Sequence, residues 1–413
     1  MNKQKCHIDA FSLPAVVVIS TLVMMLILFA FSLKTLDFQN HDHYRDLKQT
    51  RLDLHSAAAL YMCDSTLLFG TDTATVCLYG DGEDPIGIKR LRWGMYEAVS
   101  IRRFKDDPFG RTYLMGRAVE NSCRAALWLS NRNMPLTLAG STNIKGPVFV
   151  PQVGVRYLDL PEKKFSGRPL EVEDLRAAGR YMPRLSWDMW SHLDTLKAMR
   201  EFSCDYASLS RKQISFDEPT LLTHYDSHKE TAIQLRGNAV LYGDRVILSK
   251  ESDIKEVIII ARSVVLNREF KGSAQIFCAD SILVAPGAEL QYPSGLFVDS
   301  TGPNAPCITI GEGSTVNGYV GIHWGEKYHY VLENPCFWLL RNAHIRGLAY
   351  IDGASYIQGS IQGAAYIKDC IYRYGNSTYA EALCDVSIER EDSLAFPIML
   401  DGPYRRKIIK TLN

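Results

Sequence analysis

The stretch V-L-Y-G-D-R-V-I-L, Val240 to Leu248, recurs eighteen residues on as I-I-I-A-R-S-V-V-L, Ile258 to Leu266, and again as I-F-C-A-D-S-I-L-V, Ile276 to Val284. Each copy has three apolar residues, a small one, two polar ones and three more apolar ones. A fixed period of this kind marks a chain that stacks one structural unit on the next. Within the frame, apolar residues fall six apart at Val240 and Val246, at Ile258 and Val264, and at Phe270, Ile276 and Ile282. Six residues per face and three faces per turn predict a mainly β fold built around a triangular β-solenoid, about 18 residues per coil. Residues 240, 258 and 276 are then expected to stack inward on one another. The six-residue beat returns at Ile345, Ile351 and Ile357 with Gly347, Gly353 and Gly359, where glycine suits corners that need positive φ.

Working outward, I-K-G-P-V-F-V from Ile144 matches I-R-G-L-A-Y-I from Ile345 in character at each position. This sets the start of the solenoid near Leu136. Residues 136–235 read as a first coil carrying a helical insertion over about 157–231, and residues 236–375 as the solenoid proper. In the insertion, Glu171 to Arg180 and Trp187 to Phe202 favour helix, and Trp187 and Trp190, three apart, share a helical face that clamps the flank. The Pro and Gly cluster after Pro293 and the segment Trp324 to Trp338 break the count, so loops emerge there. Residues 63–135 alternate short β-favouring runs with turns at Trp93 to Phe104, Thr112 to Met115 and Ala125 to Ser130, which predicts a small antiparallel domain. Residues 376–413, with the basic end Arg405, Arg406, Lys407 and Lys410, are the expected cap over the unpaired edges of the last coil.

At the other end, no residue from Phe11 to Leu33 is charged, slightly more than the ~20 residues a helix needs to cross a bilayer. Residues 1–34 are the expected membrane anchor, and 35–62 a helical stalk with Leu33, Leu47, Leu54 and Tyr61 on one stripe and Leu36, His43, Thr50 and Ala57 on another. A single helix from Phe11 to Tyr61 would run roughly 75 Å. Lys3 and Lys5 precede the span and Lys34, Arg45, Lys48 and Arg51 follow it, so charge does not orient it. The short N-terminal tail is the layout of an uncleaved signal anchor. The expected location is a bacterial inner membrane, single pass, with the bulk of the chain periplasmic or extracellular.

A long N-terminal helix, half apolar and half docked on a β-rich head, resembles type IV pilins and pseudopilins in layout. The pattern departs at Ala10 before Phe11 and at Ala15, where those families carry glycine and glutamate. The repeats resemble the coils of bactofilins, which associate end to end, and of hexapeptide-repeat acyltransferases. The segment Gly140 to Arg156 is similar to one in bacterial single-pass membrane proteins with a β-solenoid head. These resemblances imply a membrane-anchored, non-catalytic scaffold or cell-envelope assembly and adhesion component. Partners would be the bilayer, other proteins or further copies through the solenoid end or face, and a glycan on the aromatic set Tyr350, Tyr356, Tyr366, Tyr372, Tyr374 and Tyr379. A pilin-like subunit is one alternative, and an acyltransferase or polysaccharide-active enzyme another.

Composition narrows the chemistry. Among 413 residues, 46 basic side chains balance 46 acidic ones, which gives no field to draw nucleic acid. Ten cysteines lack C-x-x-C pairs, and Cys63 and Cys77 are the pair placed to form a disulfide. An acyltransferase would need a histidine at a coil edge, for which His323 and His344 are candidates. A polysaccharide-cleaving solenoid would need clustered acids, whereas Asp244, Asp280 and Asp299 stand apart. His224 and His228 flank Asp226 at a spacing that serves a metal only on a helix, and Thr223 to Ser227 suits a loop. Asp81 to Asp84 reads as a solvated turn without spaced calcium ligands, and His41 and His43 as stalk residues. No Walker loop, nucleophile elbow or dinucleotide fingerprint is present, so no catalytic, cofactor-binding or metal-ligating residue is assigned.

Overall fold

The computed structural model describes residues 12–63, 71–78, 85–103, 109–118, 125–160, 163–225, 232–302, 305–325 and 334–412. It is mainly β, with one long N-terminal helix, α1 (Ser12–Cys63), and a short one, α2 (Trp187–Ala198). At 1.5 Å per residue α1 extends about 78 Å. Its apolar stretch is long and apolar enough to cross a membrane and is covered by nothing. The far end of the helix is different: Thr50, Leu54, Ala57, Ala58 and Tyr61 are buried. They pack on Ile86, Ile88, Val99, Ile101 and Met115 of an antiparallel sheet. Both predicted stripes therefore dock, from Thr50 onward.

That sheet has five strands in the order Thr73–Val76, Ile86–Trp93, Tyr96–Arg102, Arg111–Arg117 and the C-terminal strand Arg406–Leu412. The last strand corrects the expected cap: the basic tail pairs antiparallel with Arg111–Arg117 and completes the sheet on which α1 lies. Arg406 itself is buried because Nε donates to Glu97 Oε2 at 3.0 Å. The Tyr61 hydroxyl donates to the same oxygen at 3.0 Å. Burial first, then the Glu97 charge, pushes the Tyr61 phenol well above its ordinary range. Cys63 and Cys77 are exposed free thiols, so the expected disulfide is absent between them.

The larger sheet is almost wholly parallel and closes on itself. Three ladders of pairing run along it. One joins Leu241, Ile259, Ile276, Leu296, Val320, Ala349, Ala365 and Leu127 in succession. A second joins Val246, Val264, Ile282, Ile308, Phe337 and Ser355. A third joins Leu290, Val316, Ile345, Ile361, Ile388 and Ile144. All the apolar members lie in one buried core. The expected inward stack of 240, 258 and 276 is corrected by one residue. Val240 pairs with Ile258, but a register shift beyond Lys255, beside Glu256 at φ 60°, makes Ile259 the partner of Ile276. Val240 and Ile258 consequently face outward into a second core, and Ile276 faces inward. Of the glycines expected at positive φ, Gly347 has φ +145° and Gly353 and Gly359 do not. A Cβ on Gly347 would come within 1.7 Å of the Gly318 carbonyl oxygen of the strand it pairs with, so the backbone approach itself demands glycine.

The ends of the chain meet in this sheet, and that overturns the expected order. The segment matched to Ile345 does occupy the same ladder rows, since Ile144 follows Ile388 and Ile361. It lies beyond the last long strand, Ser360–Tyr374, and not before the first. The turn beyond that strand is composite: Leu127–Leu129 comes from the N-terminal side, and Ala382–Cys384 and Ser387–Glu389 from the C-terminal side. Leu127–Leu129, expected in the small domain, thus opens the large sheet, ahead of the predicted start at Leu136. Residues 163–225 become a strap. It pairs at one end through Leu175–Ala177 with Val148–Val150 and at the other through Leu221–His224 with Ala239 to Tyr242. The expected helix at Glu171 to Arg180 is a 3-10 turn, Val172–Asp174, followed by that strand.

Candidate functional site

Two sets of side chains lie under the strap and shape its chemistry. Strand alternation sends Tyr242, Ile260, Phe277, Phe297, Tyr350, Tyr366, Trp128 and Phe149 to the outer side. Their hydroxyls and rings fasten the strap: Tyr242 donates to the Leu196 carbonyl at 2.7 Å and Tyr350 to the Pro183 carbonyl at 3.0 Å. From α2, Met189, Leu193 and Leu196 are buried against this surface, and the Trp190 ring lies 5.9 Å from Phe297. The clamp expected of two tryptophans is made by Trp190 alone, since Trp187 is 76% exposed.

A second, polar set consists of two bonded pairs, Asp299 with His323 and Asp352 with Lys368. Asp299 and His323 are ladder partners, and their Oδ1 and Nδ1 lie 3.1 Å apart. Lys197 of α2 donates to the other Asp299 oxygen at 2.9 Å. Burial acts to raise the Asp299 carboxyl, yet the hydrogen bonds from His323 and Lys197 outweigh it and hold it below the usual range. Lys368 donates to Asp352 at 2.7 Å. Between this set, the strap at Arg180 to Leu185 and the turn Ser130 to Asn133 opens a cleft of about 1160 Å³.

Its cations divide into two kinds. Arg132 is held by both Asp369 oxygens, at 2.7 and 2.8 Å. Asp369 in turn touches Glu381, whose carboxyl is pushed up to about 8 by burial first and the Asp369 charge second. Arg180 and Arg184 are exposed at the strap edge and have no carboxylate partner among the described residues. Beside them Tyr181 is 72% exposed, with the Arg180 guanidinium 5.8 Å from its ring centre. Beside the strap, where the Asn131 backbone amide donates to the Gly179 carbonyl, the Ser130 hydroxyl is buried without a hydrogen-bond partner.

The sequence candidates fall as follows. His323 lies in the cleft with a carboxylate partner the sequence did not give it, because Asp299 and His323 are 24 residues apart, off the eighteen-residue count. His344 is exposed and bonds Ser360, away from the cleft. Asp244 and Asp280 do not join Asp299; Asp280 pairs with Arg262 at 2.7 Å. His224 is in a strand, not a loop, 3.5 Å from Ser203 Oγ, while Asp81 to Asp84, Asp226 and His228 lie outside the described residues. The aromatic set expected to form one flat face is divided. Tyr350 and Tyr366 lie under the strap, and Tyr356 and Tyr372 stack with ring centres 6.4 Å apart in a separate cluster with Tyr374 and Tyr379. Among the described residues no group of three metal-ligating side chains assembles. Comparison of the chain with protein-family models, with curated proteins and with solved structures found no match.

Proposed function

We propose that this chain is a membrane-anchored scaffold of the bacterial cell envelope, in which α1 tethers a rigid parallel β-solenoid to the inner membrane and holds it on the periplasmic or outer side. The observation that carries the reading is the division of one unbroken helix. Its apolar half touches nothing, while its last three turns are built into a core with Tyr61, Glu97 and Arg406. An uncovered run of valine, leucine and methionine of this length is stable in hydrocarbon and costly in water. The docked end then fixes the head to the anchor without a flexible linker. The three aliphatic ladders support a three-sided winding of the closed sheet, and its rows of inward aliphatics leave no interior room for substrate.

Membrane fractionation tests the anchor. The full chain should stay in the pellet through high-salt and alkaline washes, and Leu22→Arg with Leu26→Arg should release it. A wild-type chain that washes free would remove the reading. One observation favours a second reading, a pilin-like subunit: α1 forms the spine of an antiparallel sheet, the layout noted in the sequence. A mature chain that begins at Phe11 on N-terminal sequencing would select it.

A further inference from the structure

We propose that the cleft between the strap and His323, Asp352 and Lys368 binds a segment of an acidic polysaccharide. The inference rests on the cleft alone and stands whether or not α1 is an anchor. At about 1160 Å³ the cleft exceeds the ~300–1,000 Å³ that encloses one drug-sized ligand, so it has room for more than one sugar residue.

The charge argument comes from Arg180 and Arg184. Some exposed basic side chains on the large sheet have a carboxylate on the next strand, as Arg236 has Asp253, Lys271 has Glu289 and Lys145 has Glu389. At the strap edge Arg180 and Arg184 both line the cleft and form no ion pair among the described residues, whereas its other cations, Arg132 and Lys368, are paired with Asp369 and Asp352. Guanidinium forks match carboxylate and sulfate groups. Ser130, itself buried, belongs to the same lining. Asn131 and Asn133 add amides on the same wall.

A sugar polymer fits this mixture better than an acidic peptide. Sugar rings offer a C–H face to aromatic planes and a ring of hydroxyls to amides and serine. The Tyr181 ring is 72% exposed at the rim, while Trp190 and the buried Tyr350, which hold the strap, complete the lining. A stretch of acidic peptide would use the arginines and leave the planes idle.

The test is calorimetric titration of the full chain in nanodiscs against four probes at matched low salt. They are an oligogalacturonate, a sulfated heparin-derived oligosaccharide, a neutral dextran oligosaccharide and poly-L-glutamate of equal charge. Expected is binding of one or both acidic oligosaccharides, with dextran and poly-L-glutamate at least about tenfold weaker. The carboxylated and sulfated arms distinguish the two sources of anionic sugar. Arg180→Gln with Arg184→Gln should weaken the bound probe by about tenfold or more, and Tyr181→Ala by several-fold. Because all three side chains are exposed, the variants should keep the wild-type melting curve. Exposed Arg211→Gln serves as the control and should change nothing. Equal or tighter binding of poly-L-glutamate, no binding to either acidic oligosaccharide, or binding indifferent to the arginine pair would each overturn the proposal.

Discussion

Two parts of the large sheet do the same job by opposite means. From Gln234 to Val284 each strand lies beside the one that follows it in sequence, at spacings of seventeen to nineteen residues. In the composite turn Leu127 lies beside Ala365 and Ile144 beside Ile388, each pair more than two hundred residues apart. Both carry fully buried aliphatics in the same rows. The difference shows that a local pattern specifies which side chains face inward, whereas the partner at the end of the stack is chosen by where the chain's two ends can meet. The first arrangement needs short loop closures, and the second needs nearly the whole chain to be in place.

Removing one end should separate the two cases most sharply. Deleting residues 375–412 takes away two pieces of the composite turn and the fifth strand of the antiparallel sheet. A bare-edge account predicts soluble filaments. Shared closure predicts an aggregated chain with no cooperative thermal transition, because the α1 dock on Arg406 goes as well. Size-exclusion chromatography and near-ultraviolet circular dichroism read the outcome, and a soluble truncated chain with a sharp melt would break the comparison.

At single residues the comparison becomes quantitative. Ile259 and Ile388 are both fully buried in the inner rows. Changing either to alanine should cost about 2–4 kcal/mol in denaturant unfolding, the range for a buried methylene cavity. A cost well under about 1 kcal/mol at Ile388 alone would mean that the C-terminal piece is draped over the sheet and not part of it.

A smaller effect is tied to pH. Glu381, beside Asp369 under the composite turn, has a folded-state carboxyl pushed up to about 8, above its ordinary value near 4.5. The folded state therefore binds more protons than the unfolded chain between those two values. Its contribution to stability is complete below about 4.5 and is lost as pH rises through about 8. Stability at pH 5 should exceed that at pH 9 by on the order of 1–3 kcal/mol from this pair. Glu381→Gln should flatten that slope, and a slope unchanged in the variant would reassign it.

How much of this could be read from the sequence follows the same division. Val246, Val264 and Ile282, and Ile345, Ile351 and Ile357, announced inward rows because one side chain per face repeats at a fixed spacing. The one-residue slip beside Glu256 was hidden, since Val240, Ile258 and Ile276 are equally apolar and both sides of that strand are buried. An apolar pattern cannot say which side is in when neither is wet. The likeness of Ile144 to Ile345 gave the row and could not give the neighbour. The cleft was out of reach for a related reason. Asp299 meets His323 only after a loop stretches the count, and Arg180 and Ser130 meet only because the strap spans the stack.

The weakest lever probes the surface of the composite turn. Lys145 Nζ lies 3.2 Å from Glu389 Oε1, joining the two chain ends across the same ladder that pairs Ile144 with Ile388, and both side chains are about half exposed. Exposed pairs of this kind gain little, because water screens the charges and ordering two long side chains offsets the attraction. Lys145→Ala should therefore change unfolding free energy by about 0.5 kcal/mol or less, while Ile388→Ala one rung away costs several times that. If the lysine variant proved the costlier of the two, the meeting of the ends would rest on surface charge and not on the aliphatic row. The likeness between composite turn and regular ladder would then be one of shape alone.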